Sequence, residues 1–324
     1  MLRPGGYAVA SPGAAFSHRA GQAWEQVVLP LHALAVRAPL LLSPANMAPL
    51  GWPRNVVVMH DAAALRHPAW YSRAYLAWHR FALPLLARRA VHVITVSEFS
   101  RAELVELLDL SPERISVVAG GVDERFHPQA DSAAARAAHG LTRPYVLTVA
   151  SRTARKNVAA LAATAGRLAR RGLELVAAGG DRPQFADEGA VPGLRALGHV
   201  DDALLPGLYA GAEAFVLPSL YEGFGLPCLE AMAAGVPVVA SRQAALAETC
   251  GSVAVLVDPL DQGDIADAVE RVLDDAELRG RLRAQGPLRA AGFRWASTAE
   301  RVDAVLHDLA PGAGPAAAGS PDRR

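Results

Sequence analysis

Short apolar runs alternate along the chain with longer stretches whose apolar positions recur at helical spacing. That alternation predicts βαβ units and parallel sheets. In the first part, Tyr7–Ser11, Asn55–Met59, Val91–Val96 and Ile115–Val118 predict strands, with helices over Pro68–Arg89 and Glu98–Leu108. In the second part, strands are predicted at Tyr145–Ala150, Leu173–Ala178, Ala214–Leu217, Val236–Ala240 and Ala254–Val257. Helices follow at Asn157–Arg171, Asp202–Gly211, Leu226–Ala234 and Ile265–Asp274. The strands are apolar almost throughout, which implies sheets covered on both faces.

Gln129–Arg143 interrupts this rhythm. It is Ala-rich and charged, has no strand pattern, and closes on Gly140 and Pro144, so an interdomain linker is expected there. The fold class is therefore α/β, with two Rossmann-like domains of parallel sheet facing each other across a cleft. The expected boundaries are 1–130 for the first domain, 131–143 for the linker and 144–294 for the second domain. A helix over 295–310 and a disordered Gly/Ala/Pro/Ser tail over 311–324 complete the chain.

With 324 residues, the chain is long enough for two domains that each bury a core. A net charge of +0 argues against a general nucleic-acid binder. Two cysteines, Cys228 and Cys250, cannot make a disulfide framework, and with no Cys/His cluster no structural zinc site is expected. Met1–Ala10 lacks the apolar core of a signal peptide. The apolar stretch Val27–Leu42 is broken by Pro30, His32, Arg37 and Pro39, so it does not read as a membrane span. A cytoplasmic location is expected. Charge is uneven, however: residues 1–92 hold nine arginines against Glu25 and Asp61. The Tyr71–Arg89 stretch combines Tyr75, Trp78, Phe81 and Leu83 with Arg73, Arg80, Arg88 and Arg89. Such a helix packs its apolar side on a sheet, or lies against an anionic membrane at its inner face.

The most informative stretch runs from Ser219 to Val238. It leaves a strand, passes Glu222-Gly-Phe-Gly225, and opens a helix at Leu226-Pro227. Proline in a first turn costs no hydrogen bond. The glycines allow close approach of a ligand, and the helix's first amides offer a phosphate site. Glu222 precedes this helix and Glu230 lies inside it, so the two carboxylates can serve different parts of one extended ligand. Spacing alone decides little, since Glu98 and Glu106 share it on a helix read as a solvated face. Lys156, in Arg155-Lys-Asn157 just after the first strand of the second domain, is the single lysine beside 31 arginines. One lysine in so arginine-biased a chain points to a site that wants a compact ammonium.

The Glu222–Glu230 stretch resembles the E-x7-E region of the family-4 (group 1) retaining glycosyltransferases, which have the GT-B fold. The resemblance extends over Trp24-Glu-Gln26, His60-Asp61, Val96-Ser-Glu-Phe-Ser100, Gly121-Val-Asp123, Arg155-Lys-Asn157 and Leu256-Val-Asp-Pro-Leu260. It implies a hexose transfer from a nucleotide diphosphate sugar, with GDP-mannose as the first expectation, to a hydroxyl acceptor on a glycan or lipid. By resemblance, Glu230 holds the ribose, and Glu222 with the amides around Phe224, Gly225 and Leu226 holds the sugar and diphosphate. Lys156 faces the leaving diphosphate, and His60 faces the transferred sugar and acceptor; Glu222, Lys156 and His60 are the expected catalytic set. A second basic residue is expected near Lys156, with Arg152 favoured over Arg155.

A charge about 4 Å from a leaving diphosphate gains about 4 kcal/mol at an effective dielectric of 20. A helix start offers about 0.3–2 kcal/mol, so the lysine should dominate. No Asp-x-Asp occurs in the chain. A metal-independent transfer without bound cofactor is expected, with protein charges and amides neutralising the leaving group. The resemblance departs in two places: Ala150 stands where relatives usually have glycine, and the usual opening strand and Gly-rich loop are not recognisable. The second departure motivates an alternative, a truncated nucleotide-binding subunit without activity of its own. A nicotinamide oxidoreductase is disfavoured, because no Gly-x-Gly-x-x-Gly follows a strand.

Overall fold

The computed structural model describes residues 18–151, 153–180 and 191–310. The expected strand Tyr7–Ser11, the basic residue Arg152 and the tail 311–324 lie outside the described residues. The first body comprises α1 (His18–Ala35), β1 (Leu41–Ser43), β2 (Asn55–Val58), α2 (Ala63–Arg66), α3 (Arg73–Arg89), β3 (His92–Thr95), α4 (Glu98–Leu108) and β4 (Ile115–Val117). Its four strands pair in parallel in the order β1-β2-β3-β4.

The second body begins with α5 (Ser132–His139), β5 (Tyr145–Val149), α6 (Ala162–Arg170), β6 (Glu174–Ala178), β7 (Leu194–Gly198), α7 (Leu205–Ala210) and β8 (Ala214–Leu217). It continues with α8 (Leu226–Ala233), β9 (Val238–Ser241), α9 (Leu246–Cys250), β10 (Val255–Val257), α10 (Gln262–Asp274) and α11 (Ala276–Ala290). Its six strands are parallel in the order β10-β9-β8-β5-β6-β7. Alternate residues of each strand supply opposite faces, as the pleat requires. Tyr145 and Leu147 join α5, α7 and α8 on one side, while Val146 joins α6 and α10 on the other.

Three elements differ from expectation for local reasons. The predicted helix Pro68–Arg89 starts late: Pro68–Trp70 is a 3₁₀ turn, and Ser72 Oγ caps α3 by accepting from the Tyr75 amide at 3.4 Å. The predicted helix Asn157–Arg171 also starts late, because Asn157 is left-handed at φ 54° and a further 3₁₀ turn precedes α6. The segment expected as a linker holds α5, capped by Asp131 and closed by left-handed Gly140, with Ala135 buried in the second core.

The last helix, α12 (Trp295–Leu309), returns to the first body. Leu306, Val302, Val305 and Leu309 pack with Val56, Ile94 and Val118 on the face of the first sheet opposite α3 and α4. Two chain segments thus run between the bodies. They lie side by side, with the Val122 amide donating to the Phe293 carbonyl at 2.9 Å.

Candidate active site

Strand order reverses between β5 and β8: β6 and β7 are added on one side, then β8, β9 and β10 on the other. Loops leaving two such strands diverge and open a crevice at their carboxyl ends. A pocket of ≈ 290 Å³ occupies this position, lined by Ala150, Ser151, Arg155, Lys156, Gly179, Gly180 and Pro227 among others. β5 delivers Lys156, and β8 delivers the loop that carries Glu222 into α8.

The two loops are stitched together. The side-chain amide of Asn157 donates to the carbonyls of Pro218 at 3.0 Å and Pro259 at 2.7 Å. The Leu220 amide donates to the Arg155 carbonyl at 2.9 Å. The result sets Lys156 Nζ 2.6 Å from Glu222 Oε1, which also accepts from Ser219 Oγ at 2.8 Å. Arg155 Nη1 lies 3.4 Å from Glu222 Oε2 and 3.8 Å from Asp61 Oδ2 in the first body. Burial works against ionisation of Glu222, but Lys156, then Arg155, outweigh it and hold the carboxyl below its usual range. Lys156, Arg155 and Glu222 together leave one positive charge at the crevice, with Asp61 offsetting part of it.

Past Gly225, which turns the chain at φ 100°, α8 begins at Leu226-Pro227 as expected. Glu230, one turn further, is half-buried and accepts from Tyr209 Oη at 2.8 Å. Burial raises its pKa, only partly countered by Tyr209 and Lys156. Phe224 contributes its backbone to this turn, while its ring packs against Phe293 and Gly120, beside the segments that run between the bodies.

His60 follows β2 and is exposed. Its imidazole contacts its own body, with Nε2 2.9 Å from the Pro44 carbonyl, and its amide donates to Asn46 Oδ1 at 2.6 Å. Its carbonyl, rather than its ring, meets the second body: a Cβ on Gly223 would stand 2.4 Å from His60 O. Asp61 accepts from the Ala63 amide at 3.0 Å. Among the described residues no three His, Cys, Asp or Glu side chains cluster at metal-binding distance.

The structure therefore brings Lys156 and Glu222 into contact, with Lys156 lining the crevice beside Pro227 of α8, while Phe224, Gly225, Leu226 and Glu230 lie on the same loop and helix. Arg152 lies outside the described residues, and Arg155 is the basic residue beside Glu222. Ser219, Tyr209 and Asn157 were not singled out from sequence. Ser219 and Asn157 stand at the ends of recognised stretches without a role of their own, but Tyr209 sits in an ordinary helix with nothing in the pattern to mark it.

Two family models match, "Glycosyl transferases group 1" over residues 143–275 and "Glycosyltransferase Family 4" over residues 15–126. The O-antigen chain mannosyltransferase B of Escherichia coli is 32% identical over 255 residues, 75% of this chain and 67% of that protein. The chain belongs to the group 1 glycosyltransferases. An MMP alpha-(1->4)-mannosyltransferase of Mycolicibacterium hassiacum is 32% identical over 283 residues, 80% of this glycosyltransferase and 66% of the relative. The glycosyltransferase spans about two thirds of the length of these curated relatives. Sucrose-phosphate synthase from Thermosynechococcus elongatus superimposes with a TM-score of 0.71 at 24% identity, covering 87% of this chain and 76% of that one. The expected GT-B architecture is thus the observed one.

Proposed function

We propose that this glycosyltransferase moves a hexose, with retention of configuration and without a metal ion, from a nucleotide diphosphate sugar to a hydroxyl acceptor on a glycan or lipid-linked carrier. The observation that carries this reading is the Lys156–Glu222 pair, buried at the point where strand order reverses, beside the start of α8. As the bond from the sugar carbon to the diphosphate oxygen breaks, its electron pair passes to the diphosphate. Lys156, Arg155 and the first amides of α8 would stabilise that charge. The acceptor oxygen bonds to the sugar carbon and passes its proton to the departing diphosphate. Glu222 fixes the ammonium by a 2.6 Å hydrogen bond, and Glu230 is the carboxylate for the ribose hydroxyls. His60 offers its exposed imidazole toward the acceptor side.

The mannosyltransferases among its relatives support mannose as the hexose and GDP-mannose as the first donor to test. The arginine-rich outer face of α3 supports peripheral contact with an anionic membrane, on the cytoplasmic side where a lipid-linked acceptor would be met.

Calorimetric titration with GDP, UDP and dTDP, then with their mannose and glucose conjugates, tests the donor. Selective binding of one nucleotide, abolished in Glu230→Ala, is the expected result. A folded protein that binds none of them replaces the enzymatic reading with a chain that is not catalytic alone. A strict requirement for Mg2+ or Mn2+ after chelation would refute the metal-independent mechanism. NMR of the product's anomeric centre decides retention.

A further inference from the structure

Both residues flanking Glu222 are held by the first body rather than by the domain that carries them. Tyr221 is 2% exposed, with its ring edge-on to Phe99 at 5.3 Å and to His67 at 5.6 Å. Its hydroxyl donates to Glu103 Oε2 at 3.2 Å. Glu103 lies on α4 and is itself fixed by a two-pronged pair with Arg66, at 3.0 Å from Nε and 2.7 Å from Nη2. On the other side of Glu222, the Gly223 carbonyl accepts from Ser97 Oγ at 2.6 Å and lies 3.0 Å from Ser100 Oγ. Ser100 Oγ also lies 2.9 Å from the His60 carbonyl, so one hydroxyl bridges the two bodies.

A third contact comes from the second body to the same helix end. The carboxylate of Glu248 accepts from the amides of Glu98 at 3.0 Å and Phe99 at 3.1 Å, filling positions that a helix start leaves open. The Val96-Ser-Glu-Phe-Ser100 stretch is therefore an interdomain grip as well as a helix start. Separating the bodies would release Tyr221 and Gly223 together, and with them the backbone that aims Glu222 at Lys156.

We propose that Glu103 and Tyr221, with Ser97 and Ser100 on the Gly223 carbonyl, are positioning residues through which the first body aligns the Lys156–Glu222 pair. Among the described residues, those that line the proposed nucleotide pocket all belong to the second body, so binding and turnover are expected to separate. This inference rests on the transferase reading for its kinetic consequence, but its structural consequence is read without any turnover.

The experiment uses the full chain as wild type, Tyr221→Phe, Glu103→Leu and the double variant, with thermal melting to confirm folding. Tyr221→Phe keeps the ring and removes only the hydroxyl. Its kcat is expected to fall by about tenfold, with the nucleotide Kd within about twofold of wild type. The double variant should lose no more than the worse single variant, because both break one bond. Amide hydrogen exchange over residues 219–225 should quicken in each variant, and again in Ser97→Ala. Unchanged exchange in all four variants would overturn the proposal, as would losses of kcat that multiply in the double variant. If the wild type transfers no sugar, the transferase reading fails, and the exchange rates alone still decide the coupling.

Discussion

At the scale of single residues, the site is an ion cluster poised against its own burial. Glu222 stays ionised only because Lys156 and Arg155 face it, and removing one partner of a buried pair is usually costly. Here Arg155 remains 3.4 Å from the second oxygen, so Lys156→Ala should still fold. Its turnover is expected to drop by two to three decades, equivalent to about 3–4 kcal/mol of transition-state stabilisation. Lys156→Arg should recover only part, since a planar fork cannot replace a compact ammonium 2.6 Å from Glu222 Oε1. Wild-type turnover in both would remove Lys156 from the chemistry. The same cluster sets an acid dependence. A carboxyl whose folded pKa lies below its ordinary value of 4.5 contributes stability above pH 4.5, lost as pH falls through the folded value. Glu222→Gln should therefore flatten the loss of Tm on acidification below about pH 4.5, in scans at matched ionic strength. Lys156 was legible because it is a single exception in an arginine-rich chain, and Glu222 and Glu230 because glycines and a helix start surround them. Tyr209 and Glu103 were not, since a buried tyrosine and a helical glutamate look like any others until the partner segments are placed.

At the scale of elements, the strands that lie inside each sheet were readable because they are apolar on both faces. Those that escaped are β1 and β7, each at an edge of its sheet among the described residues; β7 shows why. Its sequence Leu-Arg-Ala-Leu-Gly is half-exposed and mixed in polarity, so it carries no strong period. Helix α5 escaped for a different reason: Ala-rich, short and followed by Gly140 and Pro144, it reads as a linker, and only docking on α7 makes it a helix of the second core. α12 was placed correctly in sequence but not in space, because periodicity names an apolar face and not the surface that covers it. Leu306 now supplies the test. It is 8% exposed against Val56, Ile94 and Val118, and Leu306→Ala should cost about 2–3 kcal/mol in urea denaturation. A cost below about 0.5 kcal/mol would mean that α12 does not seal the first sheet.

At the scale of the whole molecule, the basic excess lies in residues 1–92, where nine arginines outnumber Glu25 and Asp61, and part of it gathers on α3. Along α3, Ala82, Leu83, Leu86 and Ala87 face the core, while Arg73, Ala77, Arg80, Phe81 and Arg88 stand exposed on one stripe. Phe81 is 60% exposed in the middle of that stripe. The protein should co-sediment with vesicles rich in phosphatidylglycerol and not with phosphatidylcholine alone, and the joint variant Arg80→Ser/Arg88→Ser should weaken sedimentation several-fold. Equal sedimentation with both lipids, or none, would remove the stripe from consideration. Among the described residues no helix is long and apolar enough to cross a membrane. The paired segments that run between the bodies, at Val122 and Phe293–Arg294, have a mechanical consequence. A single tether lets two bodies swivel about any axis, whereas two tethers bonded side by side behave as a door hinge with one axis of swing. Gly121 tightens that hinge, since a Cβ there would stand 2.2 Å from the Trp295 amide nitrogen. Were the bodies to part, tethers paired in this way would bring Gly223 back to the His60 carbonyl in one register.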